Sequence, residues 1–136
     1  MSNVLASVKA HNEADILKTT LQAEAFSLVA DEPLVYGGQD LGPSPADYLC
    51  MALASCQAIT LRLYARRKAW SLDAIDVKVD FIKAADAPSG NNSFYVEIAL
   101  KGNMDAEQRA RLLEIAKACP IHRLLGKPVE VITKLQ

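Results

Sequence analysis

An excess of basic residues is missing from this sequence. Lys and Arg number 15 against 16 Asp and Glu, for a net charge of -1. That balance argues against a nucleic-acid binder, which neutralises phosphates with clustered cations. The one basic cluster, Arg66-Arg67-Lys68, reads instead as the end of a helix, where cations meet the negative pole of the dipole. Neither Gly-x-Ser-x-Gly nor His-Glu-x-x-His occurs, so those two hydrolase signatures are excluded. No basic segment followed by an unbroken apolar stretch opens the chain, so no secretory signal is expected. No run reaches the roughly 18–20 apolar residues of a membrane span. The stretch that comes nearest is interrupted by Asp47, Ser55, Gln57, Thr60 and Arg62. No membrane partner and a cytoplasmic location are therefore expected. In that compartment three cysteines read as reduced, catalytic or redox-sensing thiols rather than structural disulfides.

What is present is enough for one domain with a real core, spanning 1–136. Hydrophobic residues make up 51% and charged residues 23%, which excludes global disorder. Internal repeats and low-complexity segments are absent. Three short strands are expected at 3–11, 15–22 and 24–30, with breaks at Asn12-Glu13 and around Ala23-Glu24 that suit hairpins. A loop, DEPLVYGGQDLGPSP, follows. Gly37-Gly38 gives it permissive backbone, and a tight turn or an anion cradle would both use that freedom. The Gly-Lys-Ser/Thr ending of a phosphate loop is missing.

The dominant element is a helix predicted from Ser44 to about Lys68, roughly 37 Å long. Ser44 is a good N-cap, Pro45 suits the first helical position, and Asp47 can close a capping box. The middle is apolar around most of its circumference, so burial on most faces is expected. One small domain hardly buries so long a helix, and a homodimer in which it meets its copy or the partner's strands is inferred. Alternation predicts a strand over 74–86, with Ile75, Val77, Val79 and Phe81 inward, and another over 93–101. A second helix starts at Asp105, Cys119-Pro120 breaks it, PIHRLL forms a helical turn, and VEVITKL (129–135) closes the chain as a strand. The order is α+β, with antiparallel sheets around a long central helix.

Cys56 sits mid-helix among small neighbours, where packing does not demand a thiol. Cys119 precedes a new helical turn, whose free N–H groups favour a thiolate, and His122 and Arg123 add positive potential. Both could equally be small buried hydrophobes. A zinc site drawing on Cys119, His122, Cys50 and Cys56 is disfavoured, since Cys50 and Cys56 lie about 240° apart around a helix. No metal and no organic cofactor are expected.

GGQDLGPSPADYLCMALASC, TLRLYARRKAW and ACPIHRLL together resemble the OsmC/Ohr family of organic hydroperoxide reductases and their relatives. The resemblance implies an intertwined α+β homodimer. It also implies a peroxidatic thiolate at Cys56, a resolving thiol at Cys119, and a role in oxidative-stress defence. A small-molecule hydroperoxide would be the substrate, and a dithiol such as a lipoyl group the reductant. The family's reductases hold the thiolate with an N-terminal arginine and with a glutamate ten residues before the first cysteine. Here no arginine precedes Arg62, and that position is Ala46. Asp47 next to it, Arg62 and Arg123 are the substitutes on offer. The alternative is a weakly active or non-catalytic dimer that binds a small apolar or thiol-bearing ligand at the same interface pocket.

Overall fold

Three short strands, one long helix, a two-stranded hairpin and two further helices follow one another along the chain. The structure, a computed structural model, describes residues 3–136. They fall into two units, one ending at Leu49 and the other running from Cys50 to Gln136.

The first unit carries β1 (Lys9–Asn12), β2 (Thr19–Ala23) and β3 (Phe26–Ala30), an antiparallel sheet in that order. All three expected strands form, each shorter than its sequence pattern. Pairing of β1 with β2 stops at Asn12↔Thr19. There Asn12 donates its amide to the carbonyls of Ile16 (2.8 Å) and Lys18 (3.1 Å) and closes the turn. Ala14 and Asp15 adopt left-handed φ values of 65° and 54° inside it. Residues 3–8 alternate as a strand would, but they form none, and Val4 and Val8 stay exposed.

The loop after β3 is organised by Asp31, which is 2% exposed. Its carboxylate accepts from the backbone N–H of Glu32 (2.7 Å), Leu41 (3.2 Å) and Gln39 (3.3 Å). The N–H groups of Gly38 and Asp40 go to the carbonyls of Pro33 and Glu32. The diglycine is thus a tight turn whose donors are consumed internally. Gly38 is obligatory, because an added Cβ would lie 1.8 Å from the Glu32 carbonyl oxygen.

Helix α1 (Pro45–Lys68) starts where the sequence says it should. The Ser44 N–H bonds Asp47 Oδ2 at 2.9 Å, and the Asp47 N–H bonds Ser44 Oγ at 3.1 Å, a reciprocal capping box. The helix ends in a Schellman turn, with Trp70 N–H on Ala65 O (2.9 Å) and Ala69 at φ 55°. By length and composition alone α1 is long and apolar enough to cross a membrane, a test that the core helix of a soluble protein also passes. Leu53, Gln57, Leu61, Tyr64 and Ala65 are buried, whereas Leu49, Met51, Ile59 and Leu63 are exposed. Burial on most faces is not met within the single chain.

In the second unit β4 (Ala74–Ile82) pairs antiparallel with β5 (Ser93–Lys101). Strand β4 stops four residues short of the expected end, and Ala84–Asp86 forms a 3-10 turn instead. Val77, Val79 and Phe81 alternate with exposed Asp76, Lys78 and Asp80, as the period of two requires. Helix α2 (Ala106–Lys117) opens on a capping box between Asp105 and Gln108. Its Leu112 and Ala116 complete a core with Leu61, Tyr64, Ala65 and Leu72. Helix α3 (Pro120–Leu125) follows Cys119 directly. The strand expected at 129–135 is absent: the chain is irregular there, with Val131 83% and Leu135 100% exposed. Strand β4 pairs only with β5, and no strand of the described chain pairs with this segment.

Candidate active site

Cys56 lies half-buried on the middle of α1, and Cys119 is fully buried at the N-cap of α3. Far apart in sequence, they meet in the second unit, where the Cys119 thiol stands within hydrogen-bonding reach of Cys56. The apolar contact of Leu112 and Ala116 with α1 holds the end of α2 against the helix and so sets this juxtaposition. The backbone N–H of His122 donates to Cys119 Sγ at 3.3 Å.

The expected thiolate preference at Cys119 is corrected by its surroundings. Burial, the largest influence, pushes the thiol above its ordinary value, and Cys56 pushes the same way. The N–H groups of His122 and Ile121 pull it down but do not prevail. Helix α3 has six residues, and the His122 and Arg123 side chains are exposed, so neither adds charge at close range. Cys119 is the protonated, sealed sulfur of the pair, and Cys56 is the accessible one.

The substitutes for the arginine–glutamate clamp lie elsewhere. Asp47 is exposed and its carboxylate closes the capping box. Arg62 donates to the carbonyls of Leu72 and Asp73, pinning the chain as it leaves α1 for β4. Cys50 is half-buried. Among the described residues no three His, Cys, Asp or Glu side chains form a metal-binding group. His11 is exposed beside Glu13 at 3.4 Å.

Sequence reasoning passed over Gln57. It is 2% exposed, and its Oε1 has no hydrogen-bond donor. Its signal was a polar residue spaced four from Leu53 and four from Leu61 on the buried face. A concavity of about 460 Å³ also lies in the first unit, lined mainly by Leu17, Leu21, Ala30, Pro45 and Tyr48 with Asp31 and Glu32.

Fold and site define a paired-thiol protein: two antiparallel sheets, a long helix, and one cysteine from that helix facing another from a helix start. This is the architecture of a known group. The chain belongs to the OsmC-like protein family, whose profile matches residues 37–134. An OsmC-like protein from Mycoplasma pneumoniae superimposes with a TM-score of 0.75 at 18% identity, over 92% of this chain and 89% of that one. A putative osmotic stress induced and detoxification response protein from Psychrobacter arcticus gives 0.73 at 21% identity, over 90% of each chain. The organic hydroperoxide resistance protein OhrB of Bacillus subtilis gives 0.61 at 18% identity, over 89% of this chain and 90% of that one. A comparison with curated protein sequences finds no match.

Proposed function

We propose that this protein is a thiol-dependent peroxidase that reduces organic hydroperoxides, with Cys56 peroxidatic and Cys119 resolving. The observation that carries the reading is the adjacency of an accessible thiol and a sealed, protonated one. The Cys56 thiolate attacks the terminal oxygen of ROOH, giving Cys56–SOH and, after protonation of the leaving alkoxide, ROH. Cys119 then attacks the oxidised sulfur, and its proton leaves with the hydroxide as water. A dithiol reductant of the lipoyl type restores both thiols by exchange and becomes a disulfide. A reducing, cytoplasmic setting fits thiols that must return to the reduced state.

The working unit we propose is a homodimer of single domains of 1–136. The family match crosses the boundary between the two units, and the exposed Ile59 and Leu63 of α1 and the unpaired segment 129–135 are what a second chain would cover. Sedimentation as a monomer at micromolar concentration would overturn the dimer. For the chemistry, the intact wild-type chain should lose two hydrogens in mass on treatment with cumene hydroperoxide, and Cys56→Ser should not. An unchanged free-thiol count with excess peroxide would sink the peroxidase reading.

One observation favours a second reading. None of the three expected substitutes takes the place of the family's clamp, since Asp47 and Arg62 are engaged elsewhere and Arg123 is exposed. A dimer that binds a small apolar or thiol-bearing ligand without turnover fits that absence. Sustained peroxide consumption with dihydrolipoamide excludes it.

A further inference from the structure

Tyr64 lies near the end of α1 and is 8% exposed, yet three cations gather on its ring. Arg67 Cζ stands 5.2 Å from the ring centroid, Arg111 Cζ 5.7 Å and Lys68 Nζ 5.8 Å. Arg67 and Lys68 follow Tyr64 by three and four residues on α1, so they share its face, and the negative pole of the helix accounts for them there. It does not account for Arg111, which comes from the middle of α2 and brings a third positive charge up to two others. None of the three is in an ion pair among the described residues. The one carboxylate that acts on Arg111, Glu114, is engaged by Lys117 at 3.3 Å. Attraction to the ring offsets part of the mutual repulsion, but it leaves the N–H donors of the cations unspent.

The hydroxyl is the second sign. Tyr64 Oη accepts from Arg111 Nε at 3.1 Å, and the hydroxyl's own proton meets no acceptor among the described residues. The hydrogen bond from Arg111, with the charges of Arg111, Lys68 and Arg67, outweighs burial and holds the phenol below its ordinary value. A buried O–H donor without an acceptor, ringed by cationic N–H donors, is a set of groups that one anion would satisfy together.

We propose that Tyr64, Arg67, Lys68 and Arg111 form a binding site for a phosphate dianion, free or as the phosphomonoester of a small molecule. The donor count selects the class. Arg111 has both Nη groups left, which can fork onto two oxygens of one anion. The Tyr64 hydroxyl, Arg67 and Lys68 supply further donors from the α1 side. A carboxylate offers two oxygens and one charge, whereas a phosphomonoester offers three terminal oxygens and nearly two charges at neutral pH. Bound there, the dianion replaces repulsion among the cations with attraction to a common centre and ties the end of α1 to α2. The site lies about two turns along α1 from Cys56, and it is independent of the peroxidase reading.

Trp70 supplies the signal, because its ring packs edge-on against Tyr64 at 5.5 Å. Inorganic phosphate is titrated into the full chain, against sodium chloride and sodium acetate at matched ionic strength. Phosphate should change Trp70 emission saturably in the micromolar to low millimolar range and raise the unfolding temperature in step. Chloride and acetate should do neither. Phenyl phosphate separates the two sources: tighter binding than phosphate marks an esterified ligand, and equal or weaker binding marks the free anion. Tyr64→Phe keeps the ring and the cations and removes one donor, so phosphate should bind about tenfold more weakly. Arg111→Gln should weaken binding by more, about a hundredfold. It serves alone if Tyr64→Phe folds poorly, since Arg111 is exposed. Lys9→Gln removes a cation from the first unit and should leave the affinity within about twofold. No saturable change with phosphate, an equal response to acetate, unchanged affinity in Tyr64→Phe or Arg111→Gln, or equal losses in Lys9→Gln and Arg111→Gln would each overturn the site. Phenolate absorbance at neutral pH would overturn it as well, because Tyr64 would then be the anion that the cations serve.

Discussion

Among the described residues each unit buries one such polar side chain: Asp31 in the first and Gln57 in the second, both 2% exposed. Asp31 is ringed by three backbone N–H donors, whereas the carbonyl of Gln57 has none. Burial alone would raise the Asp31 carboxyl. The N–H groups of Glu32, Leu41 and Gln39, with the charge of Lys18, outweigh it and hold the group below its ordinary value. The contrast separates two uses of a buried polar group. A satisfied one shapes backbone, here the diglycine loop that leads into α1. An unsatisfied one, sealed among apolar neighbours, is a cost the fold carries rather than a support.

The comparison can be broken most directly at Asp31. Asp31→Ala strands three N–H groups, and the unfolding temperature should fall by roughly 10 °C or more. Amide protection of Gln39 and Leu41 should vanish in hydrogen exchange. Unchanged protection would remove Asp31 as scaffold and leave the contrast empty. Leu61→Ala probes the other unit, which rests on apolar packing. It should lose about 2–5 kcal/mol in denaturant unfolding, since Leu61 is wholly buried against α2 and the β4–β5 hairpin.

Next in size are two opposite pH limbs. The Asp31 carboxyl is depressed in the fold, so its contribution is present above the ordinary value of 3.8 and is lost as pH falls through the lower folded value. The Cys119 thiol is raised, so its contribution is present below the ordinary value of 9.0 and is lost as pH rises through the higher folded value. Melting curves across pH should fall at both ends, with Asp31→Asn flattening the acid limb and Cys119→Ser the alkaline one. The smallest effect is at the end of α1. Ala69→Gly should stabilise by about 0.5–1 kcal/mol, because Ala69 holds the left-handed conformation that glycine adopts without strain.

Much of the fold was legible because its signals are local. Ser44, Pro45 and Asp47 announce the start of α1, Arg66 to Lys68 announce its end, and the alternation of β5 gives 93–101 without error. Segments 3–8 and 129–135 carry strand-like alternation yet form no strand, since pairing needs an edge and an edge is a long-range property. The thiol pair was legible from two short motifs. The sense of the Cys119 shift was not, because burial by residues far away in sequence outweighs the N–H groups of the adjacent helix start. Asp31 looked like an ordinary acidic loop residue, and Gln57 like a mere interruption of an apolar run. Only the three-dimensional count of donors and acceptors tells the satisfied group from the unsatisfied one.

Trp70, the single tryptophan, packs edge-on against Tyr64 at 5.5 Å between ring centroids and lies against the core of the second unit. Selective excitation of its indole therefore lights one half of the chain and leaves the other dark. Emission follows the unit that holds the thiols, while far-ultraviolet dichroism follows both. Superimposed melting curves from the two signals would mark a single cooperative body, and separated ones would show that the sheet built on Asp31 comes apart on its own.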